Sequence, residues 1–213
     1  MAKKKLLRFA EMANFPNVIQ LSTHLRGVWH RDYFHNDNPI TLELACGKGD
    51  YTVALARMFP DRNFVGVDLK GARLWRGART ALDESLNNVA FVRLPIEQIA
   101  ACFGPQEIAE IWITFPDPFL RAGKAKKRLT SPRFINLYRQ ILIPGGTIHL
   151  KTDEPNLFAF SQEVIQTEQL RLLQKIDDLY ANPIENPVLA IQTTYEKRHL
   201  AEGRTIRYLA FSI

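Results

Sequence analysis

From residue 40 onward the chain alternates short apolar runs with stretches of helical periodicity. Ile40-Thr41-Leu42-Glu43-Leu44 is the first run, residues 50–59 form a helical stretch, and Asn63-Phe64-Val65-Gly66-Val67-Asp68 is the second run. Runs of this length rich in β-branched and aromatic residues read as strands; apolar positions three and four apart read as one face of a helix. The alternation continues with a helical stretch over residues 71–86 and runs at 89–94, 110–115 and 146–150. Five strands separated by helices predict an α/β protein with a doubly wound, parallel sheet. The tail departs from this pattern. Residues 170–176 and 205–213 are strand-like and are joined through Asn182-Pro183-Ile184-Glu185-Asn186-Pro187, which suits an antiparallel end. The expected whole is a mostly parallel, seven-stranded sheet with an antiparallel C-terminal strand. Residues 1–38 are basic and aromatic without periodicity and read as a lead-in segment, so the boundary of a single domain over 39–213 falls at Asn36-Asp37-Asn38-Pro39.

Composition narrows the class. With 46% hydrophobic and 23% charged residues, the 213-residue chain is neither disordered nor fibrous, and it is long enough to need no disulfide or metal staple. Cys46 and Cys102 are too few for a secreted disulfide framework and lack metal-ligand spacing, which suits a reducing cytoplasm. The Lys3-Lys4-Lys5-Leu6-Leu7 start resembles a signal peptide until Arg8 and Glu11 interrupt it, and no apolar run is long enough to span a membrane. A cytoplasmic protein, monomer or homodimer, is expected. The scattered histidines His24, His30, His35, His149 and His199 predict no metal centre. Lys and Arg total 28 against 22 Asp and Glu, a net charge of +6 that favours a polyanionic partner such as nucleic acid.

The first candidate chemistry lies in Glu43-Leu44-Ala45-Cys46-Gly47-Lys48-Gly49-Asp50, a glycine-containing turn between a strand and a helix. Asp68 follows Gly49 by nineteen residues, at the end of the second strand, where a carboxylate can hold both hydroxyls of a ribose. A carboxylate ahead of the glycines would repel a pyrophosphate, so Glu43 points to a cationic ligand. S-adenosylmethionine carries a sulfonium and an ammonium and no phosphate. A Walker A loop is absent because Gly49, not Ser or Thr, follows Lys48. The stretch is similar to motif I of the Rossmann-like methyltransferases, with Ala45 in place of the first glycine.

Three further segments carry polar chemistry. Thr114-Phe115-Pro116-Asp117-Pro118-Phe119 sets one acid between two prolines at the sheet's carboxyl edge, where doubly wound folds bind ligands. Six basic residues and no acid follow over 121–133: Arg121, Lys124, Lys126, Lys127, Arg128 and Arg133. Such a run beside a cofactor edge suits phosphate contacts. Thr193-Thr194-Tyr195-Glu196 combines hydroxyls, an aromatic face and a carboxylate able to accept from guanine N1–H and N2–H.

In this joint order, with Lys151-Thr152-Asp153 at the end of the fifth strand, the chain resembles the bacterial tRNA (guanine-N7)-methyltransferase family over roughly residues 40–213. Phe119 stands for the family's usual Trp, and Ala122-Gly123 loosens the basic run. The resemblance implies a Rossmann-like fold, S-adenosylmethionine as cofactor and tRNA as partner, with methylation at N7 of the variable-loop guanine. It implies Glu43, Gly47, Gly49, Asp68 and Asp117 at the cofactor, with Ile96 or Glu97 in place of the family's acid for the adenine. Asp117 would be the catalytic acid. Arg121, Asp153, Thr193, Thr194, Tyr195 and Glu196 would hold the substrate, and Lys124, Lys126, Lys127 and Arg128 the tRNA backbone. The alternatives are a methyltransferase for another RNA atom or a small amine, and a non-catalytic RNA-binding module.

Overall fold

The computed structural model describes residues 2–20 and 23–213. Its strands are β1 (Val18–Gln20), β2 (Ile40–Leu44), β3 (Asn63–Asp68), β4 (Val89–Arg93), β5 (Ile108–Thr114), β6 (Leu142–Thr152), β7 (Arg171–Ile176) and β8 (Arg207–Ser212). Among the described residues they form one eight-stranded sheet in the order β1-β4-β3-β2-β5-β6-β8-β7. Strand β8 lies between β6 and β7 and is antiparallel to both; every other pairing is parallel. The doubly wound, mostly parallel sheet with an antiparallel C-terminal strand is therefore observed, with β1 as an additional strand.

The helices are α1 (Ala2–Met12), α2 (Asp50–Met58), α3 (Gly71–Asp83), α4 (Ile99–Cys102), α5 (Pro132–Tyr138), α6 (Pro155–Thr167) and α7 (Thr194–Ala201). All five residues of β2 are buried, because helices cover both faces of the sheet at its centre. Alternate side chains divide between two cores. Val65, Val67, Ile111 and Ile113 enter one, while Phe64 and Trp112 enter the other with α2 and α3.

The lead-in reading of residues 1–38 needs correction. Strand β1 pairs in parallel with β4, and α1 packs on α3, with Met12 fully buried. Trp29 is also fully buried, stacks on Phe103 at 5.0 Å and donates its indole N–H to the Cys102 carbonyl at 2.9 Å. Glu107 accepts from the backbone N–H groups of Gly27, Trp29 and Gly104. A three-residue strand and a few large aromatic anchors do this work, and neither produces a period that a sequence pattern can display.

Candidate active site

Chain order reverses between β2 and β5, so the connections leaving these neighbouring strands diverge and a cleft opens beyond their C-terminal ends. A cavity of about 450 Å³ lies there, reached by Ala45 after β2, Asp68 at the end of β3, Leu94 after β4 and Phe115 after β5. Among the described residues no group of His, Cys, Asp or Glu is placed to hold a metal ion, and no helix is long and apolar enough to cross a membrane.

The turn after β2 is wound tightly: Ala45, Gly47 and Gly49 have φ of 57°, 58° and 71°. Ala45 is a non-glycine residue in the left-handed region, and Phe115 (φ 49°) and Phe119 (φ 45°) on the facing loop share that strain. All three line the cavity, where stored strain commonly marks function. The Gly47 N–H donates to Asp68 Oδ2 at 2.9 Å and the Lys70 N–H to Oδ1 at 2.7 Å. Two backbone donors thus fix the Asp68 carboxylate, and each oxygen keeps acceptor capacity for a ligand hydroxyl. Ile96 and Glu97 line the same cavity beyond β4.

Two motif residues have other work. A Cβ at Gly49 would sit 2.5 Å from the Phe91 ring, so this glycine seats α2 on the core and does not line the cavity. Glu43 is 2% exposed and accepts from the Thr52 N–H at 2.8 Å, the Thr52 hydroxyl, and the Thr114 hydroxyl at 2.7 Å. The expectation that Glu43 meets a cationic ligand is therefore corrected: its oxygens join β2 to the start of α2 and the end of β5. Burial pushes its carboxyl up to about 7, against the pull of the Thr52 and Thr114 hydrogen bonds.

Asp117 lines the cavity from the loop after β5, is exposed, and has no hydrogen-bond or ion-pair partner among the described residues. Arg128 holds the loop that presents it. Its Nε donates to the Pro118 carbonyl at 3.1 Å and a terminal nitrogen to the Phe119 carbonyl at 3.2 Å. Its guanidinium lies 4.4 Å from the Phe160 ring centre of α6. At 8% exposure Arg128 is not a phosphate contact, which corrects its assignment to the tRNA backbone. A planar fork suits two adjacent carbonyls that the strained turn leaves without strand partners. Lys124, Lys126 and Lys127 are exposed on a 3₁₀ turn, and Lys127 lines the cavity; Arg121 is exposed outside it.

The 193–196 segment divides as well. Thr193 caps α7, accepting from the Glu196 N–H at 3.1 Å, and both Thr193 and Tyr195 line the cavity. Thr194 instead donates through its N–H and hydroxyl to Asp50. Glu196 and the Lys151 side chain are fully buried, 2.7 Å apart. The Lys151 ammonium also donates to the Leu189 and Ile191 carbonyls, and Glu196 accepts from the Tyr180 hydroxyl at 2.8 Å. Burial pulls the Lys151 ammonium down and Glu196 opposes the shift. Glu196 therefore lies outside the cavity lining, away from the position expected for a guanine contact, and it pins α7 to the sheet. Asp153 lies outside the cavity lining too, accepting from Arg204 at 2.8 Å. Sequence reasoning missed Lys151 as a pin. It also missed Lys48, Lys70 and Arg73 on the cavity wall, although α3 begins with no acid in its first turn and carries Arg73 and Arg76 one turn apart.

A family model described as "Putative methyltransferase" matches residues 37–209. A Porphyromonas gingivalis protein named tRNA (guanine-N(7)-)-methyltransferase is 46% identical, covering 95% of this chain and 86% of that protein. One of the same name from Christiangramia forsetii is 46% identical over 100% of this chain and 99% of its own length. The 16S rRNA methyltransferase KamB shares the fold with a TM-score of 0.66 at 14% identity, over 86% of this chain and 91% of that one. An antibiotic-related methyltransferase does so with a TM-score of 0.66 at 15% identity, over 93% and 97%. By full-length likeness to these relatives and by the family model, the chain belongs to the tRNA (guanine-N7)-methyltransferase family of Rossmann-like methyltransferases.

Proposed function

We propose that this protein transfers the methyl group of S-adenosylmethionine to N7 of the variable-loop guanine of tRNA, in the cytoplasm. The observation that carries the reading is one cavity with a backbone-fixed carboxylate, Asp68, at one wall and a carboxylate without a protein partner, Asp117, on the loop after β5. The relatives named for this reaction supply the acceptor atom.

The residues present fit the cofactor. Asp68 would receive the ribose hydroxyls, Ile96 and Glu97 would flank the adenine, and the positive φ at Gly47 lets backbone approach the ligand. When bound, S-adenosylmethionine supplies a methyl carbon on a sulfonium sulfur, and the C–S electron pair leaves with that sulfur. Guanine N7 carries a lone pair and no proton, so no residue of the chain has to act as a base toward it. The protein's part is alignment, worth about 7–11 kcal/mol in the best intramolecular cases. Tyr195 and Phe119 offer aromatic faces for the base, Thr193 a hydroxyl, and Asp117 a negative charge close to the positive charge the purine gains. Lys124, Lys126 and Lys127 would meet the phosphates beside it.

Purified protein incubated with S-adenosylmethionine and unmodified tRNA transcript, followed by nucleoside digestion and mass spectrometry, is expected to give 7-methylguanosine. A different methylated nucleoside would move the acceptor to another RNA atom. Cofactor binding with no methylated nucleoside would overturn the RNA assignment.

A further inference from the structure

A groove of about 320 Å³ lies between α2, α3 and α7, on the face of the sheet whose core holds Tyr51, Leu74 and Trp112. It is lined by Lys48, Arg57, Arg76 and Lys197, with Asp50 as the one acid. Arg57 is paired with Glu84, and Asp50 accepts from Thr194. Lys48, Arg76 and Lys197 are exposed and have no ion-pair or hydrogen-bond partner among the described residues. Three cations without ion-pair partners thus share one concave surface with a single carboxylate, Asp50, which leaves an excess of positive charge. Like charges so placed repel one another unless an anion lies between them. Lys48 and Asp50 line both this groove and the cavity that holds Asp117, so the two spaces adjoin.

The basic 121–133 run leads into α5, whose Phe134, Ile135 and Tyr138 pack in the core on the other face of the sheet. The cavity is therefore flanked by an excess of positive charge from both faces, where the sequence displayed only one of the two lobes.

We infer that the groove between α2, α3 and α7 is a second phosphate-binding surface for the substrate RNA, receiving backbone phosphates adjoining the nucleotide held at the cavity. This rests on the reading of tRNA as substrate. The ligand class follows from the lining. Exposed Lys and Arg heads with the Thr80 and Gln192 side chains beside them suit phosphodiester oxygens, and the absence of an aromatic side chain among the lining residues leaves nothing for a base to stack on.

The test is the salt dependence of tRNA binding by wild type and by the Arg76→Ala/Lys197→Ala double variant. Both side chains are exposed, so thermal unfolding should be unchanged. The variant is expected to bind tRNA roughly tenfold more weakly at low salt, with the log–log salt slope reduced by about one to two, as each lost phosphate contact removes roughly 0.7–0.9. S-adenosylmethionine affinity should stay at the wild-type value, and the charge-conserving Arg76→Lys/Lys197→Arg variant should keep the wild-type slope. Wild-type tRNA affinity and slope in the alanine variant would overturn the inference while leaving the tRNA reading intact. No salt-dependent tRNA binding by the wild type would overturn the tRNA reading itself.

Discussion

The floor and the rim of the cavity use the same residue types for opposite purposes. Beneath it Glu43, Lys151, Glu196 and Arg128 are buried, and protein donors and acceptors surround their charged ends. At the rim Asp117, Glu97 and Lys127 are exposed, line the cavity and have no such partners among the described residues. Burying a charge is costly unless it is paired and hydrogen-bonded, so the floor's charges are commitments of the fold. The rim charges remain available to a ligand. A charged motif residue thus acquires its role from what already satisfies it, not from its type.

Breaking the floor should have the largest effect. Lys151→Met leaves Glu196 buried without its cation and should destabilise the protein by about 3–5 kcal/mol in urea unfolding, since removing one partner strands the other charge. At the rim, Asp117→Ala should reduce methyl transfer by about 100-fold or more while leaving the unfolding midpoint and cofactor affinity near wild type. Wild-type turnover in that variant would remove Asp117 from the chemistry. A third contrast is visible in pH. The Glu43 carboxyl sits at about 7 in the folded protein, above its ordinary 4.5, so the folded state holds the proton more tightly. Its stabilising contribution is complete below the ordinary value and is lost as pH rises through 7. Urea unfolding should show about 2 kcal/mol less stability at pH 8 than at pH 5, and Glu43→Gln should abolish that component. Arg128→Ala sharpens the boundary between floor and rim. It should lower turnover roughly tenfold by loosening the loop that presents Asp117. The salt slope of tRNA binding should not change, and Arg128→Lys should recover part of the rate.

The sheet was legible because strands buried on both faces write themselves as unbroken apolar runs, as β2 and β3 do. Asp68, Asp117 and the glycine turn were legible because the ends of those strands place them at one edge. Glu43 and Glu196 were placed differently by the sequence for a common reason: spacing locates a residue on an element, whereas its partners can lie far away in the chain. Thr114 is 71 positions from Glu43, and Lys151 is 45 from Glu196. The α2–α3–α7 groove was hidden similarly, since Lys48, Arg76 and Lys197 form no run.

Strand β1 has a consequence for how the chain can be cut. Because Val18–Gln20 cover β4, a fragment starting at residue 39 would bare a parallel edge with unpaired backbone groups. It would also strip Met12 and Phe9 from the start of α3, where a Cβ on Gly71 would lie 2.7 Å and 2.9 Å from them. Such a fragment would keep every residue proposed for the chemistry and become a template for self-association. Residues 2–20, which supply none of those catalytic groups, thus replace the five-residue edge of β4 with the three-residue edge of β1.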